Sequence, residues 1–330
     1  MKTIKSNKKT SLLRGLFFFF FSLFVSGVLF SCAQPEIALN TEVPPPQKIQ
    51  NPKILLINSN AEVEKYSVVQ EEFRKTVSCP VLEIDLGDKK ENYDIIKLLS
   101  YNADLVYCIG GKAYSFAGKY FNEKDIVFSS IINWLRLPSL SQKVYGVSNE
   151  LHARMPIFMF RSVFPDIKKI GMLYSQQYTS QWFEKSREQA SELGIEIIGS
   201  AVSDKASVMP ALRQLLSEAD AIWLISDPLV ISEKKYLFEI LKKCDTNKTP
   251  VFSYHDAFAK SGAVLTVSVD TPTIGRQAAN IVMGILAGEK IDEKVQFPAG
   301  SHIILNLKKV KAYGLKYNKN ALGLINNIIK

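Results

Sequence analysis

At 330 residues, with 47% apolar and 22% charged side chains, the chain can bury one large core or two smaller ones. Its formal net charge of +9 drops to +4 once the five basic residues ahead of Cys32 are set aside, too mild and too evenly spread for a nucleic-acid partner. Four cysteines at irregular spacing exclude a readable disulfide framework or CxxC metal site.

The first element is an address. Lys2, Lys5, Lys8, Lys9 and Arg14 form a basic n-region, and Gly15 to Phe30 is almost wholly apolar, the pattern of a secretory signal peptide over residues 1–31. The apolar run is shorter than the roughly 20 residues of a spanning helix. Its end, Leu29-Phe30-Ser31-Cys32, resembles the lipobox of bacterial lipoproteins, which implies cleavage before Cys32 and lipidation of that residue. An uncleaved anchor with a chance cysteine is the alternative. Residues 32–52, with five prolines, read as an extended tether of up to ~60 Å at 3.1 Å per residue. The body is therefore expected outside the cytoplasm, facing periplasm or cell exterior.

From Lys53 onward, strands and helices alternate. Strands are predicted at 54–57, 81–86, 105–109, 126–131 and 145–147, with helices at 61–77, 93–99, 110–116 and 152–164 between and after them. A second series has strands at 170–174, 195–198, 221–225 and 251–253, with helices at 180–193, 208–216 and 232–243. Alternation of this kind implies α/β architecture with parallel sheets covered on both faces. Cys108 lies in an apolar strand and reads as a small buried hydrophobe; Cys79 and Cys244, near element ends, are either free or paired. Lys308, Lys309, Lys311, Lys316 and Lys319 read as a solvated basic face.

Ser261 to Lys290 organises the rest. Val264, Leu265, Val267 and Val269 form a buried strand ending at Asp270; Thr271 or Thr273 caps a helix with Pro272 in its first turn, and Gly288 closes it. Gly262-Ala263, Asp270 and Ile274-Gly275-Arg276-Gln277-Ala278 resemble a late segment of the substrate-binding lipoproteins of ABC uptake systems related to tryptophan/tyrosine binding proteins. Tyr145-Gly-Val-Ser, Ile167-Lys-Lys-Ile-Gly-Met-Leu-Tyr, Asp220-Ala-Ile-Trp and Thr249-Pro-Val-Phe-Ser follow that family's order over roughly Lys53 to Leu315. The resemblance implies a two-lobe type I periplasmic binding protein-like fold, each lobe a parallel sheet sandwiched by helices, with a hinge between them. It implies three crossings, placed near Lys168, Asp270 and Lys290. One lobe would then hold 53–167 plus 271–289 and the other 168–270 plus 290–315, leaving 316–330 as a C-terminal extension with a short docking helix at 322–329.

Ligands of open α/β sheets bind beyond the carboxyl ends of the strands, so the site is sought in those turns. Gly110-Gly111-Lys112 opens a helix and offers amides to an anion, or is a plain tight turn. Asn133 and Trp134 follow the next strand, Trp134 either walling the cleft or packing on its own lobe. Ser175, Gln176, Gln177 and Tyr178 follow the first strand of the second lobe, with donors, acceptors and a ring. Asp227 keeps an acid of the family's turn and is the leading charged contact, for an amine; capping the Pro228 turn is its alternative. Tyr254 and His255 complete the set, His255 standing where the family tends to have an acid.

No HExxH or GxSxG spacing occurs, and no carboxylate pair is singled out, so no enzyme, metal or cofactor is expected. The expected function is a monomeric, lipid-anchored solute receptor delivering a small polar or aromatic solute to an ABC permease. A ligand-sensing lipoprotein acting on a signalling partner, or a surface interaction protein without a small ligand, are the alternatives.

Overall fold

The computed structural model describes residues 49–87, 93–137 and 143–330; the leader, Cys32 and the tether as far as residue 48 lie outside them. The apolar run Ile54–Asn58 is strand β1, buried along its whole length as a strand covered on both faces must be. Helix α1 (Glu64–Thr76) leads to β2 (Val81–Asp85), α2 (Tyr93–Ser100) to β3 (Leu105–Ile109), and α3 (Gly111–Tyr120) to β4 (Asp125–Ile131) and β5 (Val144–Ser148). All these strands pair in parallel, and a two-residue strand, Val295–Gln296, returns from far along the chain to pair with β5.

The second sheet takes β6 (Lys169–Ser175), β7 (Glu196–Val202), β8 (Ala221–Trp223), β9 (Val251–Ser253) and β10 (Leu265–Val269). Their connections are α5 (Ser180–Glu192), α6 (Val208–Glu218), α7 (Lys234–Thr246) and the short α8 (Asp256–Lys260). Within the two sheets the strands run β2-β1-β3-β4-β5 and β7-β6-β8-β9-β10, so both lobes are doubly wound with the same order. Each sheet is covered by two apolar clusters, one per face. The molecule is α/β with two parallel-dominated, helix-covered sheets.

Helix α9 (Thr271–Leu286) returns the chain from β10 to the first lobe, where Ile274, Ala278 and Val282 pack with β1 and β3. Its cap is Asp270 rather than either threonine: the carboxylate accepts the Thr273 N–H at 3.1 Å. Arg276 ties the same end down, through Glu72 of α1 at 2.5 Å and Asp270 at 3.7 Å. Gly275 has a packing reason, since a Cβ there would stand 2.4 Å from the Val69 carbonyl oxygen. The helices α1 and α9 touch backbone to side-chain root, and only glycine permits it.

Two expected boundaries move. Helix α4 (Arg154–Val163) buries Ile157, Phe160 and Val163 against Ile170, Trp223 and Phe252, so it belongs to the second lobe. The crossing expected near Lys168 therefore occupies residues 149–153. Likewise 295–296 pairs in the first sheet, which puts the crossing expected near Lys290 after Gln296. The strand β12 (Ser301–Asn306; the 295–296 strand being β11) then runs antiparallel to β10 and leads into α10 (Leu307–Tyr313).

Residues 316–330 are no appendage. A 3-10 turn over Lys319–Leu324 packs on α4, and Asn327–Ile329 forms β13, paired in parallel with β12. No docking helix forms at 322–329. Cys79, Cys108 and Cys244 are free: Cys244 is buried in a second-lobe core while Cys79 rests on Met283 in the first. Burial pushes the Cys244 thiol up to about 12, and such a thiol is inert.

Candidate ligand-binding site

The expected acidic contact is structural. Asp227 is fully buried at the carboxyl end of β8, beside the end of β6. Its carboxylate accepts the Ser175 N–H at 2.7 Å, the Ser175 hydroxyl at 2.6 Å and the Thr179 hydroxyl at 2.5 Å. The N–H groups of Leu229 and Val230 donate to its other oxygen at 2.8 and 2.9 Å. Burial pushes this carboxyl up, and the hydrogen bonds from Ser175, Thr179 and Val230 outweigh it, holding the group below the usual carboxylate range. The knot fills the switch point of the second sheet and leaves Asp227 and Ser175 nothing to offer a ligand.

The first lobe closes its own switch point in the same manner. Gly110 adopts φ +85°, where a Cβ would meet the Ser59 hydroxyl at 2.6 Å, and that hydroxyl accepts the Ala113 N–H at 3.0 Å. Lys112 donates to the carbonyls of Leu86 and Gly87, and the Gly110 N–H to the Ser129 carbonyl at 2.9 Å, so both groups are engaged within the lobe. His255 serves as a helix cap: its Nδ1 accepts the Ala257 N–H at 3.2 Å at the start of α8. Trp134 packs on its own lobe, 6.1 Å from the Phe128 ring, and Gln176 is exposed.

The cavity between the lobes lies to one side of these knots, over the ends of β8, β9 and β10. Trp182 of α5 and Trp223 of β8 meet as a corner, ring centroids 5.2 Å apart and planes at 65°. Phe160 of α4 holds Trp223 from behind at 5.1 Å. Ile225, Val267 and Val269 supply apolar floor, and Tyr254 a third ring with a polar end. Burial pushes the Tyr254 hydroxyl up to about 12, so it remains a neutral phenol.

One charged side chain lines this chamber, Glu150, from the crossing segment after β5. Its Oε2 accepts the Asn133 N–H at 3.0 Å. Burial pushes its carboxyl above the usual range, against the Asn133 hydrogen bond and the nearby positive charge of Arg136. Asn133 is the first lobe's contribution. It sits in the left-handed region at φ 54°, tolerated by asparagine, and its Nδ2 reaches across to the Ser226 carbonyl at 2.9 Å. Outside it Arg136 lies over the Tyr178 ring, 4.5 Å from its centroid, also across the lobes.

The chamber encloses ≈ 50 Å³, room on the order of three to five waters at roughly 10–15 Å³ each. A mouth of ≈ 260 Å³ adjoins it, sharing Asn133, Glu150 and Trp182 and adding Arg136, Gln177 and Tyr178. The aromatic corner as it stands is too small for a solute of amino-acid size. Of the residues expected here, the structure thus brings Asn133 and Tyr254 to the chamber and Trp134, Gln177 and Tyr178 to its mouth. It adds Glu150, Trp182, Trp223 and Arg136, which sequence reading missed. Glu150 follows a strand end and Trp223 lies in the Asp220-Ala-Ile-Trp run, so both carried a signal; Trp182 sits on a helix and carried none. Among the described residues no group of His, Cys, Asp or Glu could hold a metal ion, and no helix is long and apolar enough to cross a membrane.

Comparison with known proteins agrees with this architecture. Residues 83–328 match the family of ABC transporter substrate binding proteins. The tyrosine-binding protein of Clostridioides difficile is 22% identical over 241 residues, 68% of this chain and 69% of that protein. The fold is shared with the ABC domain in complex with L-Trp from Streptococcus pneumonia, at TM-score 0.57 and 18% identity, covering 84% of this chain and 100% of that one. It is shared too with the ligand-free, open structure of a substrate binding protein with adhesive properties from Clostridium difficile. There the TM-score is 0.64 and the identity 18%, over 84% of this chain and 98% of that one.

Proposed function

This chain belongs to the family of ABC transporter substrate binding proteins, and we propose that it is a lipid-anchored receptor that captures an aromatic amino acid or close analogue and delivers it to an ABC permease. The observation that carries the ligand reading is the corner of Trp182 and Trp223, closed between the lobes, with the Glu150 carboxylate as the charge inside it. Indole faces stack on a planar ring, and a half-buried carboxylate recovers its desolvation cost when an ammonium arrives. The names of the tyrosine-binding relative and the L-Trp complex fit the same solute class.

Delivery follows from the signal peptide and lipobox at Cys32, with the tether holding the body outside the membrane as a monomer. Closure of the lobes over solute gives a permease a surface that differs from the empty form. Uptake needs no chemistry from this chain, only binding and release.

The test is a thermal-shift panel on residues 49–330 with aromatic, aliphatic and charged amino acids, nucleosides and sugars. A ligand at 100 times its dissociation constant adds about 2.7 kcal/mol to unfolding and raises the midpoint by a few degrees. Aromatic amino acids should produce the shift, and Trp182→Ala should abolish it without lowering the unliganded midpoint by a comparable amount. A shift confined to sugars or nucleosides would overturn the reading.

A further inference from the structure

His255 belongs to the second lobe, and its charge is felt by the first. It joins β9 to α8, and its Nδ1 must be unprotonated to accept the Ala257 N–H at 3.2 Å, which leaves the proton of the neutral ring on Nε2. The ring lies 6.2 Å from that of Tyr254 and 5.6 Å from that of Phe258, centroid to centroid. Tyr254 lines the chamber and is hydrogen-bonded to Ser226, whose carbonyl accepts the bond that Asn133 sends across the lobes. The cap of α8 is thus one residue away from the contacts that hold the cleft shut.

From the first lobe, Lys65 of α1 acts on this imidazole. The Lys65 Nζ lies 5.5 Å from the centroid of the Tyr66 ring; among the described residues no carboxylate engages it, and burial pulls its ammonium below the usual lysine range. The other titratable groups around α8 are Asp256 and Lys260 on the helix itself and His302 of β12, with Glu150 in the chamber beside Tyr254. The strand β10, also packed on α8, carries none. Burial and then the Lys65 charge oppose a proton on His255. Asp256, which accepts the Ser268 hydroxyl, favours that proton and is outweighed.

We propose that His255 is an acid-sensitive latch on lobe closure: a proton on its Nδ1 breaks the cap of α8 and sets a second positive charge against Lys65 of the other lobe, so the cleft opens as the medium turns acid. Because the closed form holds the imidazole below its ordinary value of 6.5, closure is unhindered above that value. As pH falls below it, the open form takes up the proton first and gains population; the effect levels out once the closed form is protonated too. Glu150 works with the opposite sign, since its carboxyl is raised by burial in the closed form and acid therefore favours closure through it. Opening in acid is thus the signature of the histidine. A receptor built this way holds its solute at neutral pH and surrenders it in mild acid.

The experiment is small-angle scattering of the unliganded 49–330 body at pH 7.5 and at pH 5, with the imidazoles titrated by NMR. The chain has 3 histidines, so comparison with His255→Asn assigns the resonance. In the wild type the radius of gyration should be larger at pH 5, the ratio of closed to open form falling by about 3- to 30-fold; one proton permits at most about tenfold per pH unit below the ordinary value. His255→Asn keeps a favoured cap acceptor and does not titrate, so its radius should not grow in acid. Lys65→Met keeps the stem and removes the charge: the expansion should shrink, and the His255 titration should move up toward 6.5. Circular dichroism should show the same helix content at both pH values, to within one turn. A wild type that does not expand, an equal expansion in either variant, or a wholesale loss of helix at pH 5 would overturn the latch. None of these readouts uses a solute, so failure of the latch leaves the aromatic solute reading in place, and failure of solute binding leaves the latch.

Discussion

Asp227 and Glu150 show how burial and partners assign opposite tasks to the same functional group. Asp227 receives five hydrogen bonds and is held ionised; Glu150 receives one and is pushed toward its neutral form. Replacing Asp227 by alanine leaves two hydroxyls and three N–H groups without their acceptor, and unfolding stability should fall by about 3 kcal/mol or more. Because its folded carboxyl is depressed, the stabilisation is present above the unfolded value of about 3.9 and is lost as pH falls through the lower folded value. Denaturant unfolding at pH 7 and at pH 3 measures both effects; the difference between wild type and Asp227→Ala should shrink at the lower pH. Were Asp227 a ligand contact, the variant would keep its stability and lose only affinity. Sequence alone placed an acid at this strand end, where ligands of α/β sheets gather, but the partners that consume it come from 175 and 179, some fifty residues away. Hydrogen-bond satisfaction is a property of three dimensions, and for that reason Asp227 and Lys112 were legible as polar groups in the right turns and not as engaged ones.

At the scale of elements, most of the fold was legible because strands buried on both faces are continuous apolar runs and the helices between them carry a clean periodicity. What escaped were pieces whose partners are remote. Helix α4 is as apolar on its buried face as a first-lobe helix would be, and only its contacts with Trp223 and Phe252 and their neighbours assign it to the second. The Ile274-Gly275-Arg276 run marked the family, and its physical content is a backbone contact with α1 that no local pattern announces. Residues 316–330 lacked periodicity because they form a 3-10 turn and a three-residue strand, each held by long-range bonds. Asn318 donates its N–H to Val163 at 2.8 Å, and Asn326 both gives to and takes from Ile303, at 2.9 and 2.8 Å. Truncation after Leu315 removes these and bares the β12 edge, and should destabilise the second lobe by at least about 2 kcal/mol. Hydrogen exchange is the measurement that separates the lobes: protection should fall in β12, β10 and α4 and persist in β1 and β3. Equal loss in both sheets would mean that the C-terminal strand supports the whole body rather than one lobe.

Across the whole molecule, three crossings join the lobes, at 149–153, at Asp270 and between Gln296 and Ser301, and the chamber lies against the first two through Glu150 and Val269. A ligand touching the crossings influences the angle between the lobes more directly than one held by either lobe alone. On the proposed reading the link from ligand to angle is Asn133, whose N–H rests on Glu150 while its Nδ2 grips the Ser226 carbonyl of the opposite lobe. Asn133→Gly isolates that grip, because glycine adopts φ 54° without strain and keeps the N–H, losing only the bond across the cleft. One such hydrogen bond is worth about 0.5–1.5 kcal/mol, so the closed fraction without ligand should fall, and affinity should drop by roughly 2- to 12-fold in proportion. The loss should appear in the dissociation rate, since encounter takes place with the open form, where the bond is not yet made. Small-angle scattering should show a larger radius of gyration for unliganded Asn133→Gly than for wild type, and equal radii at saturating ligand. If the radii agree without ligand and the association rate falls instead, Asn133 acts on the ligand directly and the bond to Ser226 does not set the angle.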